Sequence, residues 1–324
     1  MIVYLATGRE SYTVGDYLRD HARHQQSRFA LLPYEELARI QSLPIATYIF
    51  SDLDRLSGAQ LALAQQVHDH IKAERPDLTV LNNPAEFVGR FDLQRRLYEQ
   101  GLNEYNVYRP YDIDDVRYPV FLRMERDHMG AKSELIHTRE ELDAAILAAI
   151  ATGAWPDNLM VVEFCNTADA HGTHRKYSLM RIGGTLFARH QVLGKEWMLK
   201  VPYVGEGQSW PQEWIAEEAK FLETNPHLSK VRSVFDLAGI QYGRIDYGIK
   251  GGRVQVWEIN TNPVCITPLG KQIPERERFD DIVLKRFDEC WQAIDCRHSP
   301  GPPLKFSASL KQIFSQPRDE WAWG

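Results

Sequence analysis

From Tyr242 to Pro263 the chain reads Tyr-Gly-Arg-Ile-Asp-Tyr-Gly, a Gly-Gly turn, and then Val-Trp-Glu-Ile-Asn-Thr-Asn-Pro. This stretch predicts a hairpin that gathers three hard oxygen ligands, Asp246, Glu258 and Asn260. Glu258 and Asn260 are two apart on a strand, so their side chains share a face. Asp246 joins them when the turn has an odd number of residues. With Lys250, Gly251 and Gly252 as a three-residue loop, Arg244 lies opposite Glu258 and Asp246 opposite Val256. A two-residue Gly-Gly loop would send Asp246 to the other face, because a slip of one residue inverts every side chain. Carboxylates with an amide oxygen, and no His or Cys among them, suit Mg²⁺ held for a nucleotide phosphate. The alternative is a solvated hairpin with a surface salt bridge, but such a strand seldom carries Asn at the third position and a Pro to end it.

The rest of the chain narrows the class. Its 324 residues allow two or three lobes, and 44% hydrophobic with 25% charged residues is ordinary for a soluble globular protein. A formal net charge of -6 argues against non-specific nucleic-acid binding. The four cysteines, Cys165, Cys265, Cys290 and Cys296, lack zinc-ligand spacing, which points to a reducing cytoplasm. The first residues read as a strand rather than a signal peptide, and nothing reaches the ~20 apolar residues of a membrane span.

Strand-like runs at Ile2 to Ala6, Arg28 to Leu32, Ala46 to Phe50 and Leu78 to Leu81 alternate with helical segments, including Ala59 to Ala73. They predict a small parallel α/β lobe over residues 1–85. Residues 86–158 predict an α+β lobe: a helix from Arg90 to Gln100 ended by Gly101, strands at Tyr118 to Met124 and Ser133 to His137, and a helix with a Thr138–Glu141 capping box. Residues 159–297 predict a third lobe. It holds a strand from Leu159, two strands about Gly183-Gly184, a mobile loop from Gly194 to Gln208, helices near Glu213 to Glu223 and Leu228 to Ala238, the ligand hairpin, and a helix from Glu275 to Asp295. Residues 298–324 read as a partly ordered tail, with one amphipathic turn at Leu310 to Phe314.

The Gly-Arg-Ile-Asp…Glu-Ile-Asn-Thr-Asn-Pro hairpin resembles the magnesium-binding end of ATP-grasp enzymes such as D-alanine–D-alanine ligase, glutathione synthetase, biotin carboxylase and the peptide-modifying glutamate ligases. The order of lobes is also similar, over about residues 1–295. The resemblance implies an α/β fold with the nucleotide held between two α+β lobes, after a small parallel α/β lobe. It implies ATP and Mg²⁺, two ions, with Mn²⁺ an alternative. Asp246, Glu258 and Asn260 would be the metal ligands, Glu258 bridging, and Arg244 would face a developing oxyanion or pair with Glu258. Two phosphate-binding lysines of the family become Arg90 and Arg123 here, which keeps the charge but not the geometry. The glycine-rich flap becomes Arg126 to Lys132 with only Gly130, so Lys132 and His128 would have to compensate for missing backbone amides. Val161 to Cys165 resembles the hinge that offers main-chain groups to adenine, so Glu163, Phe164 and Cys165 join the nucleotide set, and Asp169 would reach the ribose.

The implied activity is a carboxylate–amine ligase working through an acyl phosphate, with a carboxylate and an amine as partners. Neither nucleic acid nor membrane is a partner, and self-association is left open. A kinase acting on a small-molecule hydroxyl and a non-catalytic nucleotide-binding module are the rivals. Arg189, His190, Lys195 and Lys200 could meet an anionic substrate or be solvated charges, and Cys265 is expected in the core.

Overall fold

The chain is described by a computed structural model covering residues 1–128, 130–199, 210–266, 274–295, 301–309 and 311. Its first sheet is parallel, with α-helical crossovers after the Ile2–Ala6 and Thr47–Phe50 strands. The elements are β1 (Ile2–Ala6), α1 (Tyr12–Asp20), β2 (Phe29–Pro33), β3 (Ser42–Leu43), β4 (Thr47–Phe50), α2 (Gly58–Glu74) and β5 (Val80–Leu81). The sheet order is β2-β1-β4-β5, while β3 stands apart. All five residues of β1 are buried, as expected for a central parallel strand. Ser57 caps α2 in a reciprocal capping box with Gln60.

The second sheet is small and antiparallel. Helix α3 (Arg90–Glu99) leads into β6 (Val107–Tyr108) and β7 (Val120–Met124). Helix α4 (Arg139–Ala151) then precedes β8 (Leu159–Glu163), which lies between β6 and β7, so the strand expected to open the third lobe is instead the centre of the second sheet. Gly101 takes the positive φ that ends α3. The strand expected at Ser133 to His137 is absent: Ile136 makes an isolated bridge to Val120 and Ser133 Oγ accepts from the Leu122 amide, while a second bridge, Arg123 to Ala131, lies just before the segment. Thr138 does cap α4 through the Glu141 amide, but the Glu141 carboxylate takes the amide of His137 instead of closing a box.

The third sheet, ordered β10-β9-β11-β12, carries the ligand hairpin. Its strands are β9 (His174–Ile182), β10 (Thr185–Gly194), β11 (Tyr242–Lys250) and β12 (Arg253–Asn260). Between β10 and β11 run α5 (Gln212–Thr224) and α6 (Leu228–Leu237), and after β12 comes α7 (Pro274–Ile294). The tail is not wholly loose, because β13 (Leu304–Lys305) pairs antiparallel with β3 of the first lobe. The Leu310 to Phe314 turn, most of the Gly194 to Gln208 loop and Lys200 lie outside the described residues.

One hydrophobic core joins the first and third sheets. Tyr4, Tyr17 and Ile49 of the first lobe pack with Tyr242, Phe287 and Trp291 of the third. The Trp291 indole donates to Tyr17, Thr47 donates to the Ile294 carbonyl, and the amino terminus pairs with Asp295. Among the described residues, no helix is long and apolar enough to cross a membrane.

Candidate functional site

The hairpin reaches the expected facing by a different route. Lys250 pairs with Arg253, so the turn has two residues, Gly251 and Gly252, both at positive φ. That length alone would separate the carboxylates. The register then shifts between Asp246 and Tyr247: Tyr247 pairs with Val256, but Asp246 pairs with Glu258. Trp257 is the extra residue of a bulge, and it restores the parity that the turn removes. Arg244 therefore lies opposite Asn260, not Glu258.

The bulge is accommodated by Gly248. A Cβ there would lie 2.7 Å from the Trp257 ring and 3.0 Å from Thr167. Glycine lets the indole lie across the strand next to the hinge.

Each carboxylate is met by cations. Glu258 Oε2 accepts from Arg90 at 2.7 Å and also pairs with Arg123. Burial pushes the Glu258 carboxyl up, but Arg123 and then Arg90 outweigh it and hold the group well below the usual range. Asp246 accepts from Arg244 Nε at 3.0 Å, with Lys176 at 3.8 Å. Four cations thus stand against two carboxylates. The Nε atoms of Arg90 and Arg123 are buried without a hydrogen-bond partner among the described residues. Burial and then Arg123 push the Arg90 guanidinium down. Arg90 also donates to the carbonyls of Glu125 at 2.5 Å and Asp127 at 2.8 Å, so it pins the flap as well as facing Glu258.

Behind Asp246 runs a buried relay that sequence reasoning missed. His190 approaches Ser178 Oγ at 2.8 Å, and Ser178 donates to Asp246 Oδ1 at 2.7 Å. Burial, then Arg189 and Arg244, push the His190 imidazolium well down, so the ring is neutral and its N–H faces the serine. The signal was present: Lys176 and Ser178 alternate on β9, which neighbours β11 in the sheet. Arg189 donates to the Cys265 carbonyl at 2.5 Å, and burial pushes its guanidinium down to about 10. Cys265 is buried as expected, and burial pushes its thiol up to about 11.

The remaining expected residues divide. Lys132 is half-exposed and pairs with Asp127 at 2.6 Å. His128, by contrast, bonds Asp54 of the first lobe at 2.7 Å. The Glu163 carboxylate is already taken by the Asn106 amide, Tyr108 and Arg117. Burial pushes it up, yet Arg117 and those amides bring it below the usual range. The amide of Phe164 donates to the Pro119 carbonyl at 2.9 Å. The hinge thus spends on its own folding two of the groups expected to meet adenine. Asp169 closes a turn by accepting from Thr173 and His171 and pairs with Arg175 at 2.7 Å. A cavity of about 690 Å³ does lie at the hinge, lined by Tyr105, Arg117, Glu163, Phe164, Cys165 and Lys250 among others.

The donor set was weighed against a divalent cation. Asp246, Glu258 and the Asn260 amide offer only oxygen, which fits Mg²⁺ in kind. Among the described residues no three His, Cys, Asp or Glu side chains gather into a metal-holding group. The surplus cations and the orphaned guanidinium N–H groups fit a polyanion in the same place.

No family model matches the chain, and no curated protein does. Solved structures do match. The D-alanine–D-alanine ligase of Bacillus anthracis complexed with ATP aligns over 91% of this chain and 98% of its own, at 10% identity and a TM-score of 0.49. The chain is similar to that structure over most of its length and at low identity. The VanG D-Ala:D-Ser ligase of Enterococcus faecalis aligns over 91% and 99% at 12% identity and a TM-score of 0.48. An L-amino acid ligase of Bacillus licheniformis aligns over 80% and 66% at 11% identity and a TM-score of 0.40.

Proposed function

We propose that the chain is an ATP-dependent carboxylate–amine ligase acting through an acyl phosphate. The observation that carries this reading is the convergence of Arg90 and Arg123 on one oxygen of Glu258, with their buried Nε donors lacking a partner among the described residues. Four cations share Asp246 and Glu258, and even with Asp54 and Glu125 close to Arg90 the buried N–H donors are left without an acceptor among the described residues. A triphosphate supplies one.

In this reading Arg90 and Arg123 clamp phosphate oxygens, and Arg244 faces charge that develops on the substrate carboxylate. An oxygen of that carboxylate attacks the γ-phosphorus, and the bond to the β-phosphate oxygen breaks, releasing ADP. The amine then attacks the acyl carbon, the carbon–oxygen bond to phosphate breaks, and an amide forms. Asp246, Glu258 and Asn260 would hold Mg²⁺, which when bound neutralises phosphate charge. The Ser178–His190 relay keeps Asp246 Oδ1 occupied from behind.

The test is ADP release and hydroxylamine trapping across a panel of amino acids and small peptides with MgATP. Hydroxamate that depends on one carboxylate supports the ligase. A stable phosphate ester without an amine requirement would make the protein a kinase. Tight ATP binding with no substrate-stimulated turnover would make it a binding module.

A further inference from the structure

We infer that His128, held by Asp54, is the general base that removes the proton from the attacking amine, an assignment that rests on the ligase reading above. Asp54 comes from the first lobe, His128 from the flap that follows β7, and Thr261 directly follows β12. The three meet at one point. Asp54 Oδ2 lies 2.7 Å from His128 Nε2, and its Oδ1 accepts from Thr261 Oγ1 at 2.5 Å.

This arrangement fixes the tautomer. Burial pushes the Asp54 carboxyl up, but His128 and Thr261 outweigh it, so the group stays ionised. A carboxylate beside Nε2 keeps the ring proton there and leaves the lone pair on Nδ1. Nδ1 faces Arg90 Nη2 at 3.4 Å, the long end of hydrogen bonding, while the same nitrogen of Arg90 binds Glu258 at 2.7 Å. The basic atom therefore lies beside the arginine that meets Glu258, and a short N–H from a substrate would displace its weak contact. The charged groups that face the ring are Asp54, Arg90 and Glu258, and the neighbouring Asp127 is paired with Lys132.

The chemistry needs such a group. An alkyl amine that attacks the acyl phosphate becomes a cationic adduct, which must lose a proton before phosphate leaves. His128 Nδ1 takes that proton as the nitrogen–carbon bond forms and the carbon–oxygen bond to phosphate breaks. The imidazolium returns the proton to water or to the departing phosphate. The first half-reaction, phosphoryl transfer to a carboxylate, has no such proton to remove.

The experiment compares two nucleophiles in the same protein: an amino-acid amine and hydroxylamine, whose weaker basicity leaves it unprotonated at neutral pH. In His128→Gln the ratio of amide to hydroxamate should fall by about 10²-fold, the usual weight of a positioned base. Imidazole added to His128→Ala should recover part of the amide rate. Asp54→Asn should move the ratio in the same direction, and it serves if the His128 variants do not fold. Amide and hydroxamate falling together would show that the Asp54–His128 pair merely ties the lobes. Neither falling would also overturn the assignment. A parent protein that makes no hydroxamate at all would remove the ligase reading, and this proposal with it.

Discussion

Asp246 and Glu258 are direct cross-strand partners because Trp257 is left out of the ladder between β11 and β12. The carboxylate pair therefore depends on a residue that itself has no partner in the register. Gly248 makes room for it. Gly248→Ala should force the ring or Thr167 to move, at a cost of about 1–3 kcal/mol for overpacking. Urea unfolding measures the loss, and near-ultraviolet circular dichroism should show the altered indole. An unchanged spectrum and stability would mean that the bulge does not need the space.

Glu258→Gln should destabilise the protein by roughly 3 kcal/mol in the absence of nucleotide, because two buried guanidinium groups lose their shared counter-charge. A polyanion that binds between those arginines should restore part of the loss by mass action. Thermal unfolding with and without ATP checks both parts. A larger upward shift with ATP in the variant than in the parent is the expected result, and equal shifts would place the nucleotide elsewhere.

Arg123→Ala should weaken ATP binding measured by calorimetry, and Arg123→Lys should weaken it less, because a point charge recovers part of a bidentate contact. Lys132 serves as the comparison. Its half-exposed pair with Asp127 belongs to a class worth ~0–1 kcal/mol. Lys132→Ala should change stability by no more than that. ATP affinity unaltered in Arg123→Ala would dismiss the clamp.

The first and third sheets could be anticipated because they rest on local patterning, but the second could not: Val107–Tyr108 is too short to stand out, and Leu159–Glu163 pairs with it rather than with the third sheet. The facing of Asp246 could not be derived that way. The two-residue Gly251-Gly252 turn is the stronger local signal, and it points to the wrong face. The compensating bulge depends on a distant fit among Trp257, Gly248 and Thr167. Glu163 shows the same limit from the other side. A glutamate at a strand end is locally indistinguishable from a ligand-binding one, and only the fold brings Arg117, Tyr108 and Asn106 onto its oxygens. The strand expected at Ser133 to His137 lacks a partner for most of its length and forms only the Ile136 bridge to Val120.

Acid should weaken the fold before the carboxylates titrate. His190 has an ordinary value of 6.5 and is driven well below it by burial. The unfolded chain therefore binds a proton that the folded one refuses, so stability falls as pH drops through 6.5 toward the folded value. His174 and His227 shift in the same direction, also by burial, and add to the slope. Glu258 follows at lower pH, since its contribution is present above its ordinary 4.5 and is lost as acid protonates it. Urea midpoints from pH 8 to 4 should decline from about 6.5 downward. His190→Gln should flatten the upper part of that decline. A flat profile down to pH 5 would contradict the burial of neutral histidines.

The contacts of α7 with the first lobe carry a mechanical consequence. Met1 is pinned to Asp295, Thr47 to the Ile294 carbonyl and Tyr17 to Trp291, so the parallel sheet and the hairpin sheet share one rigid frame. The second lobe meets that frame through the Asp54–His128, Arg90–Glu258 and Arg123–Glu258 ties and through Asn103 and Tyr105, which donate to the Val256 carbonyl. The edge between the small sheet and the frame is thus held largely by charge, so a polyanion entering there would exchange one set of arginine contacts for another while the Asp54–His128 pair stays closed.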